Sequence, residues 1–425
     1  MKLIWKIIYN YLILPILYVT LRFAGLFNNK IRKGIIGRKR VYENLILNAT
    51  SIDKTKKLVW FHSSSLGEFE QAKPIIEKLK KEKDINILIT FFSPSGYENS
   101  KKYPLADLIS YIPFDTIHNA KKFISIANPS LAVIMRYDLW PNMINSLNNN
   151  NIPIYLVDAT LRSSSPRKSP LLKSFHKNLF SQLTRILTVS ESDAIEFKSF
   201  GFNGTKIKAV GDTRFDRVYQ RSVVAREKKL IKEELLHDKK VFVAGSTWEQ
   251  DEEIILPAFL KLSEVEKDLI MLIAPHEPTL LHLEKIENEF VGKLNTIRFS
   301  YLNNYKGEKV IIVDSIGILL TLYTYAQVAY VGGSFKQNIH NVLEAAVYGN
   351  PVLFGPKIDN SQEAKTLLEN GGGILINNKR EAYRNLRKLF SDDEFRKKCG
   401  KTAFDYVRKN TGATDKILDE IYKAL

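Results

Sequence analysis

LVWFHSSSLGEFEQ, Leu58 to Gln71, decides the fold. Leu58–Phe61 is a short apolar run of the composition that suits a buried strand. A serine-rich turn follows. Gly67 and Glu68 then open a segment, Glu68 to Lys83, whose apolar residues recur at helical spacing. A strand that ends in a turn and runs into a helix begins a βαβ unit. It also leaves a carboxylate at the mouth of a sheet, where a phosphate loop would carry glycines and a lysine.

The same pattern repeats outward. INILITFF, LAVIM, IPIYLVD, RILTV and IKAV read as further strands of the first half, with helical runs such as Glu191–Phe200 between them. VFVAG, LIMLIAP, VIIVD, VAYVGG, PVLFG and GILI repeat the theme in the second half. Continuous apolar strands joined by helices predict parallel sheets covered on both faces, here two doubly wound domains. A chain of 425 residues is long enough for two or three cores. The break is expected around Val210–Val224, ahead of a charged helical stretch, Arg226–Leu236. Asn148–Pro153 reads as a turn cluster and Arg162–Pro170 as a basic Ser/Pro-rich loop.

Hydrophobic and charged contents of 44% and 26% fit a globular protein, so the net charge of +17 is the informative number. It points to an anionic partner: nucleic acid, an acidic membrane surface or phosphorylated substrates. The single cysteine, Cys399, excludes an internal disulfide and a multi-cysteine metal site. The N-terminal segment Leu3–Phe27 is apolar, interrupted by Lys6, Asn10 and Arg22, and is followed by Lys30, Arg32, Lys33, Arg38, Lys39 and Arg40. Its uncharged core, Ile7–Leu21, falls short of the roughly 20 residues of a spanning helix, while its aromatics suit an interface. Residues 1–30 are expected to anchor the chain to an anionic leaflet, spanning or lying flat, with the body on the cytoplasmic side.

In open α/β sheets, ligands bind beyond the C-terminal strand ends. There the second half carries Gly245, Ser246 and Thr247, read as a turn opening a helix and offering backbone N–H groups to an anion. Gly332, Gly333 and Ser334 allow a ligand close to the backbone, and His340 and Asn341 start a helix whose Glu344 can bond a ribose diol. A further turn, Gly355 to Asn360, completes a nucleotide-type set. His276 ends a strand, where it faces the ligand or caps the turn. No GxGxxG follows an early strand and no P-loop occurs, which argues against a dinucleotide redox site and a Walker ATPase. No cluster has metal-ligand spacing.

HSSSLGE, DLWPN (Asp138–Asn142), GSTWEQDEE, VGGSF…HNVLEAAVYGNPVLFGP and the apolar-basic N-terminus together resemble the Kdo (3-deoxy-D-manno-octulosonic acid) transferases of lipopolysaccharide synthesis. The resemblance covers nearly the whole chain. It implies a GT-B fold of two Rossmann-like domains: an anchor at 1–30, an acceptor domain at 31–214, a nucleotide-sugar domain at 215–403, and a C-terminal helix at 404–425 returning to the first domain. It implies inverting transfer of Kdo from CMP-Kdo, a substrate rather than a cofactor, to a lipid A precursor at the cytoplasmic face of the inner membrane, with no metal and no nucleic acid. By the family's motifs, Glu68 is the general base, beside Ser64, Ser65, Gly67 and Asp138 on the acceptor side and across a cleft from the donor. The donor set is Gly245, Ser246, Thr247, Pro275, His276, Gly332, Gly333, Ser334, His340, Asn341, Glu344 and Asn360. The chain departs from the family at Arg136 and Ile318, where acids are usual, at Asn338 and Ile339, where glycines are usual, and at His276–Glu277, where an arginine is lost. The alternatives are another GT-B enzyme, a UDP-sugar transferase or a UDP-GlcNAc 2-epimerase. A nucleic-acid-binding protein lacks any zinc finger, RNP motif or basic heptad helix.

Overall fold

The computed structural model describes residues 3–50, 52–202 and 204–425. They form two units, one of residues 1–217 with 411–425 and one of residues 218–410. Each is built on a seven-stranded, wholly parallel sheet.

The first sheet holds β1 (Leu58–Ser63), β2 (Asn86–Phe91), β3 (Leu108–Tyr111), β4 (Leu131–Met135), β5 (Ile154–Ala159), β6 (Arg185–Thr188) and β7 (Ile207–Ala209), in the order β3-β2-β1-β4-β5-β6-β7. Side chains alternate across it. Leu58 and Trp60 join Ala132, Ile134 and Leu156 on one face, whereas Val59 and Phe61 join Val133, Met135 and Val157 on the other. Helices cover both faces, which is why the strands read as continuous apolar runs.

The second sheet holds β8 (Lys240–Thr247), β9 (Leu269–Pro275), β10 (Thr296–Arg298), β11 (Val310–Ile312), β12 (Val328–Val331), β13 (Val352–Phe354) and β14 (Gly373–Leu375), in the order β10-β11-β9-β8-β12-β13-β14. Each sheet thus has one strand more than the sequence runs indicated. The additions, β3 and β10, are short strands at the sheet margins, and no long apolar run marks them.

The chain passes from the first unit to the second within the helix Thr213–Arg226, inside the Val210–Val224 segment. The C-terminal stretch expected as one helix is two, Asp393–Lys409 and Ala413–Tyr422, divided at Gly412, whose φ of +101° no ordinary helix residue adopts. The backbone N–H groups of Gly412 and Thr414 each donate to Asp216 at 2.6 Å. The last helix then lays Ile417, Leu418 and Ile421 on the Val59/Phe61 face, each buried side chain contributing about 1.5–3 kcal/mol.

The N-terminal segment is a helical run from Leu3 to Phe27 with a mean hydropathy of 1.5, long and apolar enough to cross a membrane. A π turn at Tyr9–Ile13 precedes Pro15, whose missing N–H interrupts the ordinary ladder. One face docks on the first unit. Trp5 packs edge-on against Phe175, the Tyr9 hydroxyl donates to Asp115 at 2.8 Å, and Tyr18 packs on Phe114. The other face leaves Leu3, Ile7, Leu12, Ile16, Val19, Phe23 and Leu26 exposed.

Candidate functional site

Strand order locates the first site. β1 lies between β2 and β4, so the crossovers diverge at the C-terminal ends of β1 and β4, where open sheets bind ligands. β1 delivers His62 there, and the following turn and helix Leu66–Glu82 deliver Ser64, Ser65, Gly67 and Glu68. The end of β4 delivers Arg136 and Asp138.

Glu68 stands in the first helical turn. Its Oε2 accepts the Ser64 N–H at 2.6 Å, while Oε1 has no hydrogen-bond partner among the described residues. One oxygen is therefore held and the other is left to take a proton. Burial pushes the carboxyl above its ordinary pKa. The Ser64 N–H opposes that rise, the Asp138 charge adds to it, and His62 and Arg136 oppose it. A side chain at position 67 would meet only Ser65 Oγ, at 4.0 Å, so the glycine leaves the approach beside Glu68 open.

His62 is buried, with Nε2 2.9 Å from Asp138 Oδ2 and Nδ1 2.8 Å from Thr90 Oγ1. Thr90 Oγ1 also accepts the Trp60 Nε1–H at 2.8 Å. Burial alone would raise the Asp138 carboxyl, but the His62 bond and charge, together with Trp140 and Ser64, outweigh it and hold the group below its ordinary range. A carboxylate only accepts, so His62 Nε2 carries a hydrogen and donates it to Asp138. His62 was not among the expected site residues. Its place near the end of β1, directly before the serines, was the available signal.

Arg136 adopts φ +64°, left-handed for a residue with a side chain. Its guanidinium makes no hydrogen bond or ion pair among the described residues, yet its charge acts on both Glu68 and Asp158. Asp158, at the end of β5, also has positive φ, and Ser246 repeats this at the end of β8. Such outliers gather where surrounding structure holds a site in place.

The second site lies at the matching point of the other sheet, between β8 and β12. Gly245, Ser246 and Thr247 are the last residues of β8, not a turn opening a helix. The helix Glu249–Ser263 starts after Trp248. The Thr247 hydroxyl is taken by Glu252 at 2.7 Å, whereas the half-buried Ser246 hydroxyl has no such partner among the described residues. Gly332 packs so closely on β8 that a Cβ would lie 2.8 Å from Thr247 Cα. Gly333, at φ +98°, gives its N–H to Asp251 at 2.8 Å. Buried Asp251 also accepts the Trp248 N–H at 2.9 Å and the Tyr330 hydroxyl at 2.7 Å, so it fastens the ends of both strands. The sequence reading missed it, although it stands in the GSTWEQDEE motif.

His276 follows Pro275, the last residue of β9. Its ring stacks on His340 at 4.3 Å and lies 4.8 Å from Trp248. The Trp248 indole N–H donates to His340 Nε2 at 3.2 Å, and Lys336 Nζ sits 3.2 Å above the Trp248 ring. Burial and the neighbouring His276 push His340 below its ordinary pKa. His340 and Asn341 precede rather than start the helix, which is only Leu343–Ala346, and Asn341 Oδ1 accepts the Leu343 N–H. Glu344 is in that helix's first turn, paired with Arg221 at 3.5 Å. Buried Ser334 accepts the Gly355 N–H at 2.6 Å, and Asn360 donates to the Ile339 carbonyl at 3.0 Å. Most of the polar expected residues here hold loops, while Ser246, His276, His340 and Lys336 present functional groups.

Residues 39–217 match the family of 3-deoxy-D-manno-octulosonic-acid transferases. The enzyme of that name from Aquifex aeolicus is 30% identical over 80% of this chain and 88% of its own. The one from Haemophilus influenzae is 26% identical over 98% of this chain and 97% of its own. In fold, the second similarity is to UDP-GlcNAc 2-epimerase from Neisseria meningitidis, with TM-score 0.60 at 16% identity over 86% of this chain and all of that one.

Proposed function

Because the chain belongs to the 3-deoxy-D-manno-octulosonic-acid transferase family, and is a glycosyltransferase, we propose that it moves Kdo from CMP-Kdo to a lipid A precursor with inversion. The observation that carries the mechanism is Glu68, with Oε2 fixed by the Ser64 N–H and Oε1 without a hydrogen-bond partner among the described residues. The acceptor hydroxyl oxygen bonds to the anomeric carbon as the carbon–oxygen bond to CMP breaks. The bonding pair leaves with the phosphate, and the hydroxyl proton passes to Glu68 Oε1. A raised pKa makes that carboxylate a stronger base. Asp138, held by His62, supports the acceptor side, and Arg136 gives it a positive charge.

On the donor side, the Ser246 hydroxyl and the Lys336 ammonium face the charge that grows on the leaving phosphate. The His276–His340–Trp248 stack offers an aromatic surface to the base. The apolar N-terminal helix, docked along one face and bare along the other, lies in the cytoplasmic leaflet of the inner membrane rather than crossing it. The exposed Lys30, Arg32, Lys33, Lys39 and Arg40 favour that anionic surface, while Arg38 turns inward onto the carbonyls of Gly34, Phe92 and Ile112.

The test is CMP release from CMP-Kdo, with the lipid product weighed by mass spectrometry. The reading expects release that depends on the lipid acceptor and a product heavier by whole Kdo units. Turnover of a UDP-sugar instead, with CMP-Kdo untouched, would replace it with the UDP-dependent alternatives.

A further inference from the structure

Within the first unit, a cavity of about 240 Å³ lies between the N-terminal helical run and the helix Pro170–Ser181. Asp138 is part of its lining. Tyr9 and Leu17 of the apolar run border it, and Phe175, Leu179 and Phe180 supply much of the opposite wall. Two groups in this mostly apolar lining lack partners. Trp140 Nε1 is buried and completes no hydrogen bond among the described residues, although it lies near enough to the Asp138 carboxylate to help lower that group's pKa. Half-buried Arg167 stacks over Tyr137 at 5.0 Å and makes no ion pair among the described residues. A buried donor without an acceptor and a cation without an anion are both costly unless something else supplies the missing partner.

The surroundings say what that is. Leu171, one helical turn before Phe175, is 81% exposed, and the outer face of Leu3–Phe27 is bare and apolar. Apolar surface therefore continues from the exposed helix into the cavity and reaches Asp138. Arg167 brings positive charge to the cavity lining, while the adjacent Lys168 is paired with Glu196. Apolar depth with a cation in its lining complements an anionic lipid.

We infer that this cavity receives an acyl chain of the acceptor, with Arg167 and the Trp140 N–H meeting the anionic and oxygen groups where chain joins sugar. The inference rests on the lipid-acceptor reading above. In this arrangement the cavity draws the glycolipid partly out of the leaflet and delivers its sugar to Asp138 and Glu68. A sugar acceptor stripped of its chains loses that guidance.

The experiment uses the full chain in mixed micelles with a tetraacylated, phosphorylated glucosamine disaccharide bearing a photoreactive diazirine on one chain. Cross-links at Trp140 and Phe175–Phe180 are expected. Leu17→Trp and His176→Trp fill the cavity from opposite walls. Each should cut those cross-links at least tenfold and raise about tenfold the ratio of KM for the acylated acceptor to KM for its deacylated form. Labels confined to the exposed face of Leu3–Phe27, or an unchanged KM ratio in both variants, would overturn the inference. Turnover without cavity labelling would sink it and spare the transferase reading. Cavity labelling without turnover would keep the acyl site and sink that reading.

Discussion

His62 Nε2 lies 2.9 Å from Asp138 Oδ2. The pair joins the ends of β1 and β4, the two strands at the switch point of the first sheet, and it fixes the carboxylate that borders both Glu68 and the acyl cavity. Asp138→Ala leaves the buried imidazole N–H without an acceptor and should cost about 1–3 kcal/mol in denaturant unfolding. Asp138→Asn keeps an oxygen there and removes only the charge. Because that charge raises the Glu68 pKa, the acid limb of the pH–rate profile should move to lower pH in Asp138→Asn.

Arg136 makes the opposite prediction. Its φ of +64° suits glycine, so Arg136→Gly should stabilise the fold by about 1 kcal/mol in thermal or denaturant unfolding. The guanidinium charge lowers the Glu68 pKa, so its removal should shift the acid limb to higher pH and weaken the acceptor. A gain in stability with a loss in kcat/KM would mark a residue kept for its charge. Lower stability would show that its packing outweighs the strain.

Glu420 clamps the last helix to the first sheet, bonded to Lys423 at 2.7 Å and to Lys208 and Arg185 at 3.2 Å. Burial alone would raise its carboxyl, but the three cations outweigh it and bring the pKa down to about 2. A depressed folded pKa contributes stability above the ordinary value of 4.5 and loses it as pH falls through about 2. Glu420→Gln should therefore cost about 2 kcal/mol near neutral pH, with the difference from wild type vanishing below pH 2. A constant difference across that range would assign the effect to packing.

In the second unit, Gly332 sets the spacing of β8 and β12. In Gly332→Ala the new Cβ would lie 2.8 Å from Thr247 Cα, backbone that cannot swing aside. The variant should lose about 1–3 kcal/mol of stability, and CMP affinity by calorimetry should fall at least tenfold. Undiminished CMP binding would move the donor site away from these strand ends.

The sheets were legible because runs such as LVWF and LIMLIAP are buried on both faces and leave no polar alternation to interpret. The short marginal strands β3 and β10 lacked that signal. Gly245–Thr247 looked like a turn because glycine and serine are poor strand formers. They extend β8 because the strand's ladder runs on to Thr247, beside Pro275. Glu68 was legible as a base through the family resemblance, since an acid in a first helical turn is otherwise an ordinary partner of the helix dipole. His62, Thr90 and Asp251 were not, because each works through partners far away in sequence: Asp138, Trp60 and Gly333. The left-handed backbone of Arg136 has no sequence signature at all.

The most direct test of the central claim is Glu68→Gln. Glutamine keeps an oxygen for the Ser64 N–H but cannot take the acceptor's proton. Single-turnover transfer from CMP-Kdo to the lipid acceptor should slow by about 10²–10⁴-fold, with melting temperature and CMP affinity unchanged. A glutamine variant within a few-fold of wild type would contradict the account and leave Glu68 as an acid that only caps its helix.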